Sequence, residues 1–183
     1  MAQVFAITNQ KGGVGKTTTT VNLAASLAAT KRRILMIDLD PQGNATMGSG
    51  IRKNEIERTA YDLLTKKATF DEVVQRSEVG KYDVIPANGD LTAAEVELLN
   101  EIGREHRLKT VLKAVQDNYE FILIDCPPSL NMLTVNALSS ANGVIIPMQC
   151  EYYALEGLAA LLNTVEQIRE TINPEIKISG ILR

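Results

Sequence analysis

A glycine-rich segment near the amino terminus carries two lysines and the start of a run of threonines. It reads Gln10-Lys11-Gly12-Gly13-Val14-Gly15-Lys16-Thr17-Thr18 and lies between a short apolar run and a helical pattern. Glycine lets backbone N–H groups approach a phosphate closely because it has no Cβ, and the first turn of a helix adds a positive dipole end. The segment therefore predicts a phosphate-binding loop at a strand-to-helix junction.

The polar side chains of this loop fit separate roles in nucleotide binding. Lys16 can reach the β- and γ-phosphates, the Thr17 hydroxyl can bind Mg²⁺, and Thr18 can donate to the α-phosphate. Because β-branched residues lower helix propensity, the four threonines at 17–20 favour a binding role for at least the first two. The residues predicted to bind the nucleotide are Lys11, Gly12, Gly13, Val14, Gly15, Lys16, Thr17 and Thr18.

The loop departs from the ordinary motif G-x-x-x-x-G-K-[ST]. That motif requires a glycine five residues before Gly15, where this chain has Gln10. The chain has instead an additional lysine, Lys11, at the mouth of the loop. A second cation can stabilise the charge that builds up during phosphoryl transfer, so Lys11 is a candidate catalytic residue beside Lys16. The alternative is an ordinary solvated lysine.

Three aspartates follow predicted strands. Asp38 and Asp40 come after the second strand, and Asp125 ends the fourth. Such a carboxylate can bind Mg²⁺ through water, or it can orient and deprotonate an attacking water. The alternative is that each aspartate only satisfies N–H groups of its own loop. Asp125 closes an apolar strand, as in the Walker B pattern, and is therefore assigned with Thr17 to the Mg²⁺ shell.

Short apolar runs alternate with longer helical patterns, which is typical of a parallel sheet covered by helices on both faces. The predicted strands are Val4–Thr8, Ile34–Asp38, Tyr82–Pro86, Phe121–Asp125, Gly143–Met148 and Ile176–Leu182. The predicted helices are Thr17–Thr30, Thr59–Lys66, Phe70–Arg76, Leu91–Asn118 with a break near Gly103, Leu133–Ser140 and Ala154–Ile172. The turn-rich stretch Asp40–Ile51 is predicted as a loop in a ligand-binding position, beyond the carboxyl end of a strand. At about 150 residues per domain, the 183 residues predict a single doubly wound α/β domain over 1–183.

Composition excludes several classes of protein. Apolar residues make up 45% and charged residues 22%, and no apolar run approaches the roughly 20 residues that span a bilayer. The amino terminus lacks the pattern of a signal peptide, so a cytoplasmic protein is expected. Cys126 and Cys150 are too few for a disulfide framework and are expected to be reduced, small buried residues. The 19 basic and 22 acidic residues leave no overall basic footprint of the kind that DNA-binding proteins carry.

Together these motifs resemble the ParA family of chromosome- and plasmid-partitioning ATPases. The resemblance is nearest to the Soj type, within the deviant Walker A class of P-loop NTPases, and covers the whole chain. The segments that carry it are K-G-G-V-G-K-T-T from Lys11, D-L-D-P-Q-G-N from Asp38, I-D-C-P-P-S-L from Ile124 and I-P-M-Q-C-E-Y-Y-A-L-E-G-L from Ile146.

The resemblance implies roles for individual residues. Lys11 would cross a dimer interface to the partner's nucleotide, and Asp40 would position or activate the hydrolytic water. Asp38 would support the metal shell and its own loop, and the turn at Pro127 and Pro128 would sense the γ-phosphate. Glu151 is a weaker candidate for a ribose contact across the dimer.

The resemblance also implies the activity and the partners. The chain would hydrolyse ATP slowly to ADP and phosphate with Mg²⁺ as cofactor, form a homodimer in the ATP state, and respond to a ParB-like protein and to DNA. It would be nucleoid-associated, with no membrane partner. Members of the family continue past the last predicted strand, Ile176–Leu182, into a part that grips adenine and binds non-specific DNA. The domain is therefore expected to be incomplete at its carboxyl end.

Two other functions fit the same scaffold. One is a metabolic P-loop enzyme, such as a dethiobiotin-synthetase-like ligase that phosphorylates a carboxylate, which needs a substrate pocket over the γ-phosphate. The other is a nucleotide-binding module without turnover. Fold alone does not separate these functions from a partitioning ATPase.

Overall fold

The computed structural model describes residues 1–150 and 154–183. Its strands are β1 (Gln3–Ile7), β2 (Ile34–Asp38), β3 (Gln75–Arg76), β4 (Asp83–Ile85), β5 (Phe121–Asp125), β6 (Gly143–Pro147) and β7 (Lys177–Leu182). Its helices are α1 (Lys16–Ala29), α2 (Asn44–Gly48), α3 (Ala60–Leu64), α4 (Phe70–Val73), α5 (Leu91–Leu98), α6 (Arg107–Val115), α7 (Met132–Ser140) and α8 (Ala154–Thr171). Short 3₁₀ turns, Arg104–His106 and Gln116–Asn118, flank α6.

The strands form one sheet in the order β3-β4-β2-β5-β1-β6-β7. Every neighbouring pair is parallel except β3 and β4, which are antiparallel. The strand β5 lies between β1 and β2, so that Asp125 is in register with Ile7 on one side and with Asp38 on the other. The sheet thus brings the carboxyl ends of three strands from distant parts of the chain to one edge.

The core lies on both faces of the sheet, because successive strand residues point to opposite faces. In β2, Leu35 and Ile37 pack into one hydrophobic cluster, while Ile34 and Met36 pack into the other. The first cluster contains apolar residues of α3 and α5–α8, and the second contains apolar residues of α1. The predicted doubly wound, mainly parallel α/β fold is confirmed.

The six predicted strands are present with small shifts at their ends, but some predicted bounds were wrong. The helix predicted over Phe70–Arg76 ends at Val73, and Gln75–Arg76 pairs as an edge strand with β4. The loop predicted over Asp40–Ile51 contains the short helix α2. The predicted break near Gly103 is confirmed, since Gly103 has a φ of +68° and starts a 3₁₀ turn.

The strand β7 lies at an edge of the sheet, paired with β6, and all its residues are exposed. One prediction about burial was wrong. Cys126 is buried as expected, whereas Cys150 is exposed, and both are free thiols. Among the helices of the described residues, none combines the length and the apolar character that crossing a membrane requires.

Candidate functional site

The phosphate loop connects β1 to α1 in the conformation that its glycines allow. Gly13 and Gly15 have φ of +74° and +93°, in the left-handed region that glycine adopts without steric cost. The helix α1 begins directly after Gly15, with no side-chain cap and no acidic residue in its first turn. A Cβ built on Gly12, Gly13 or Gly15 would meet no atom within 4 Å. The loop therefore leaves an open cradle beside a helix amino terminus, which is a site for an anion.

Asn9 anchors the start of the loop and was missed by the sequence analysis. Its side chain is 4% exposed, and Nδ2 donates to the Pro147 carbonyl at the end of β6 at 2.7 Å. Its Oδ1 accepts from the Lys11 N–H at 3.0 Å, and Lys16 Nζ donates to the Lys11 carbonyl at 3.0 Å. The only signal in the sequence was a polar residue following a buried strand.

Thr17 and Asp125, the predicted metal ligands, are in contact at the base of the loop. The Thr17 hydroxyl donates to Asp125 Oδ2 at 2.7 Å, and the Thr20 hydroxyl is 3.0 Å from Oδ1 of the same carboxylate. Thr20 was not predicted as a site residue, although it ends the threonine run. The contact places a hydroxyl and a carboxylate oxygen side by side, which is the donor set that Mg²⁺ prefers.

The charges in the site are strongly affected by burial. Burial lowers the pKa of Lys16, while the nearby Asp125 and Asp40 carboxylates act in the opposite direction. Burial, together with the neighbouring Asp38 carboxylate, raises the pKa of Asp125 to about 7. A buried carboxylate with a raised pKa favours a cation beside it, so Asp125 fits a Mg²⁺ ion.

Asp38 ends β2 with both carboxylate oxygens facing protein groups. It is 0% exposed, and its Oδ1 accepts from the Asp40 N–H at 3.0 Å. Its Oδ2 accepts from the N–H and from the hydroxyl of Thr46, both at 2.8 Å. Burial raises the pKa of Asp38 to about 6. These contacts support the loop role implied for Asp38, while its place in the metal shell stays a prediction.

A cleft of about 340 Å³ joins the predicted residues. Its lining residues are Gly12, Gly13, Gly15, Lys16, Thr17, Thr18, Asp40, Asn44 and Pro128. The lining includes Asn44, the first residue of α2, which the sequence analysis did not single out. Val14 is buried away from the cleft, at 8% exposed, so only its backbone can contribute.

Other features of the described residues do not form a competing site. No group of three or more His, Cys, Asp or Glu side chains within residues 1–150 and 154–183 is arranged to hold a metal. A larger cleft of about 730 Å³, between α4 and α6, contains none of the loop residues. We assign the chemistry to the smaller cleft because the glycine loop, Lys16 and Asp40 converge there. Glu151 lies outside the described residues.

The chain is similar in sequence to known proteins over nearly its whole length. Residues 2–178 match the family described as an AAA domain. The chain is 53% identical to sporulation initiation inhibitor protein Soj of Bacillus subtilis, over 100% of this chain and 72% of that protein. It is 48% identical to the chromosome partitioning protein ParA of Caulobacter vibrioides, over 98% of this chain and 68% of that protein.

Solved structures share the same fold. The chain matches a Mycobacterium smegmatis structure named cobyrinic acid a,c-diamide synthase, with bound ADP and magnesium, at a TM-score of 0.96. The identity is 38%, over 100% of this chain and 74% of that one. A plasmid partition protein from Borrelia burgdorferi matches at a TM-score of 0.82 and 28% identity, over 98% of this chain and 77% of that one.

Proposed function

The chain belongs to the ParA/Soj family of partitioning ATPases, and we propose that it is an Mg-ATP-dependent switch whose dimerisation depends on the γ-phosphate. ATP hydrolysis to ADP and phosphate then dissociates the dimer. The observation that carries this proposal is the convergence of the glycine loop, the Thr17–Asp125 contact and Asp40 on one cleft. That arrangement supports binding of the phosphates of a nucleoside triphosphate and transfer of the γ-phosphoryl group to water.

The loop binds the phosphates through its backbone and Lys16. N–H groups of the first turn of α1 point at the ligand, and Lys16, 7% exposed, lies at the floor of the cleft. Thr17 and Asp125 would hold Mg²⁺, which would supply positive charge beside the phosphate oxygens. The side-chain amide nitrogen of Gln10 is buried without a partner among the described residues, and a bound acceptor would satisfy it.

Asp40 positions the attacking water. It is 9% exposed and lines the cleft, and its Oδ1 accepts from the Gln42 N–H at 2.9 Å. This contact fixes the carboxylate and leaves Oδ2 for a water molecule. The role is that of an orienting base, which phosphoryl transfer to water needs.

Lys11 acts across the dimer interface on the partner's nucleotide. It stands at the mouth of the loop, where its backbone is tied to Asn9 and Lys16. A lysine that stabilises transferred charge in trans makes hydrolysis conditional on dimerisation. A ParB-like protein and non-specific DNA then stimulate hydrolysis by the full-length protein. Binding to that DNA locates the protein on the nucleoid.

The test uses molar mass and phosphate release on the parent, Asp40→Ala and Lys16→Ala. We expect Asp40→Ala to form a dimer with Mg-ATP and a monomer with Mg-ADP in light scattering, and to release phosphate only at a slow residual rate. Lys16→Ala is expected to lose nucleotide binding or dimerisation. Hydrolysis by Asp40→Ala at the parent rate would refute the assignment of the water.

A metabolic ligase is the second candidate, because the Mycobacterium smegmatis structure bears the name of an amide-forming enzyme. For that function, phosphate release should rise with a small carboxylic acid and an amine donor. For a partitioning switch, it should rise with DNA and a partner protein instead. A chain that binds ATP but releases no phosphate under either condition would be a binding module.

A further inference from the structure

We infer that Thr46 and the loop that follows β4 position Asp40 for hydrolysis, so that Thr46 is a positioning residue of the site. The inference rests on the proposed role of Asp40. It assigns a function to α2 and to Ala87, which lie outside the phosphate loop and outside the metal shell.

The first link joins Asp40 to Thr46 through Asp38. One Asp38 oxygen accepts from the Asp40 N–H, and the other accepts twice from Thr46, through its N–H and its hydroxyl. Asp38 and Thr46 are both 0% exposed, so water does not compete for these bonds. Hydrogen bonds to a buried carboxylate are strong and directional. The backbone that carries Asp40 is therefore held relative to α2.

The second link joins Thr46 to the loop after β4. The Thr46 Oγ1 accepts from the Ala87 N–H at 2.9 Å while its hydrogen is donated to Asp38. One hydroxyl thus satisfies a buried donor and a buried acceptor at once. This double use restrains the orientation of the hydroxyl, because its hydrogen is directed at Asp38 while its oxygen accepts from Ala87.

The turn after Asp40 also packs closely against the loop that follows β4. Gly43 has a φ of +63°, and a Cβ built on it would lie 2.6 Å from the Ala87 carbonyl oxygen. The Gly43 N–H donates to the Asp40 carbonyl at 2.9 Å. The turn after Asp40 therefore sits between its own strand and Ala87. The neighbouring Pro86 carbonyl accepts from the Ala60 N–H at 2.8 Å, which ties the loop to α3.

Valine and serine at position 46 separate the two contributions of threonine. Valine keeps the volume and the N–H that donates to Asp38, but its side chain neither donates to Asp38 nor accepts from Ala87. Serine keeps the hydroxyl and loses one methyl group. A misplacement of a catalytic group by about 1 Å can slow turnover by about 100-fold. We therefore expect Thr46→Val to lower kcat by about 10- to 100-fold with unchanged nucleotide affinity, and Thr46→Ser to recover most of that loss.

The experiment combines Thr46→Val and Thr46→Ser with Asp40→Ala in a double-mutant cycle. Single-turnover phosphate release is measured at saturating Mg-ATP, and each rate is corrected for the fraction that binds a fluorescent nucleotide analogue. The matched control is Ser139→Ala on α7, outside the cleft. It removes a buried hydroxyl that is hydrogen-bonded to His106 of the 3₁₀ turn before α6. It is expected to lower Tm without changing the corrected rate.

If Thr46 acts through Asp40, Thr46→Val slows the parent but has no further effect in the Asp40→Ala background. An equal slowing in both backgrounds, or no slowing in the parent, overturns the inference. The proposed role of Asp40 fails separately, if the single variant Asp40→Ala hydrolyses ATP at the parent rate. That result does not depend on any variant of Thr46. The two failures are therefore distinguishable.

Discussion

Replacing Asp125 by asparagine is expected to stabilise the nucleotide-free protein at pH 8 and to remove its response to Mg²⁺. Asp125 is 0% exposed, and burial, reinforced by the Asp38 carboxylate, raises its pKa from 3.8 to about 7. Because the folded-state pKa lies above the unfolded value, the folded state binds the proton more tightly. The contribution of the Asp125 carboxyl group to the free energy of unfolding is therefore fully present below pH 3.8 and is lost as the pH rises through about 7.

The magnitude follows from this rise in pKa. At 1.36 kcal/mol per pH unit, a rise from 3.8 to about 7 costs about 4 kcal/mol at pH 8. Asparagine is uncharged, as the protonated carboxyl group is, but its amide nitrogen cannot accept a hydrogen bond, so the contacts with the Thr17 and Thr20 hydroxyls must rearrange at a cost of about 1 kcal/mol each. The net gain is about 1–3 kcal/mol, or about 2–10 °C in Tm for a chain of this size. At pH 5 the cost of the raised pKa is smaller, and it nearly equals the cost of the altered hydrogen bonds in the variant.

The assay is thermal unfolding followed by circular dichroism at pH 5 and pH 8, with and without Mg-ADP. The control is Asp117→Asn, whose carboxylate is 82% exposed and pairs only with the amino terminus among the described residues. Its Tm should stay at the parent value at both pH values. A lower Tm for Asp125→Asn at pH 8 would refute the reasoning from burial. Equal stabilisation of parent and variant by Mg-ADP would remove Asp125 from the metal shell.

Three further substitutions test separate parts of the site. Lys11→Ala is expected to bind ATP as well as the parent but to stay monomeric in light scattering and to hydrolyse ATP slowly; an ATP-dependent dimer would contradict the role in trans. Gly12→Ala should leave Tm unchanged, because its Cβ meets no protein atom within 4 Å, yet weaken nucleotide binding in a titration because that Cβ enters the phosphate cradle. Gly43→Ala should lower stability by about 2 kcal/mol or more, since its φ is +63° and its Cβ would collide with the Ala87 carbonyl; denaturant unfolding measures this loss, and an unchanged midpoint would show that the turn can shift.

The phosphate loop was predictable from the sequence because its chemistry is local. The glycines, Lys16 and Thr17 act within one strand-to-helix turn, so the order of residues alone determines their relative positions. The strands were predictable for a similar reason, since a strand buried on both faces must be apolar throughout. The exposure of β7 could not be predicted in this way, because it depends on the position of the strand at the edge of the sheet.

Contacts between distant segments were not predictable. The sequence places Asp38 and Asp125 at strand ends and assigns Asp125 to the Mg²⁺ shell by the Walker B pattern, but it does not show which groups either carboxylate contacts. The strand order β2-β5-β1 decides that Asp125 meets Thr17 and Thr20, while Asp38 turns towards Thr46. Local patterns carry no information about which strands become neighbours, since that choice depends on packing across the whole sheet.

The sequence by itself determined the doubly wound fold class, the phosphate loop and the strand-end aspartates of this protein. Only the tertiary structure showed that Asp125 accepts from Thr17 and Thr20 and that Asp38 holds the backbone of Asp40. The physical reason is that a hydrogen bond requires two groups within about 3 Å, and Asp125 is separated from Thr17 by 108 positions along the chain. Sheet pairing and the burial of both hydrophobic clusters bring such groups together.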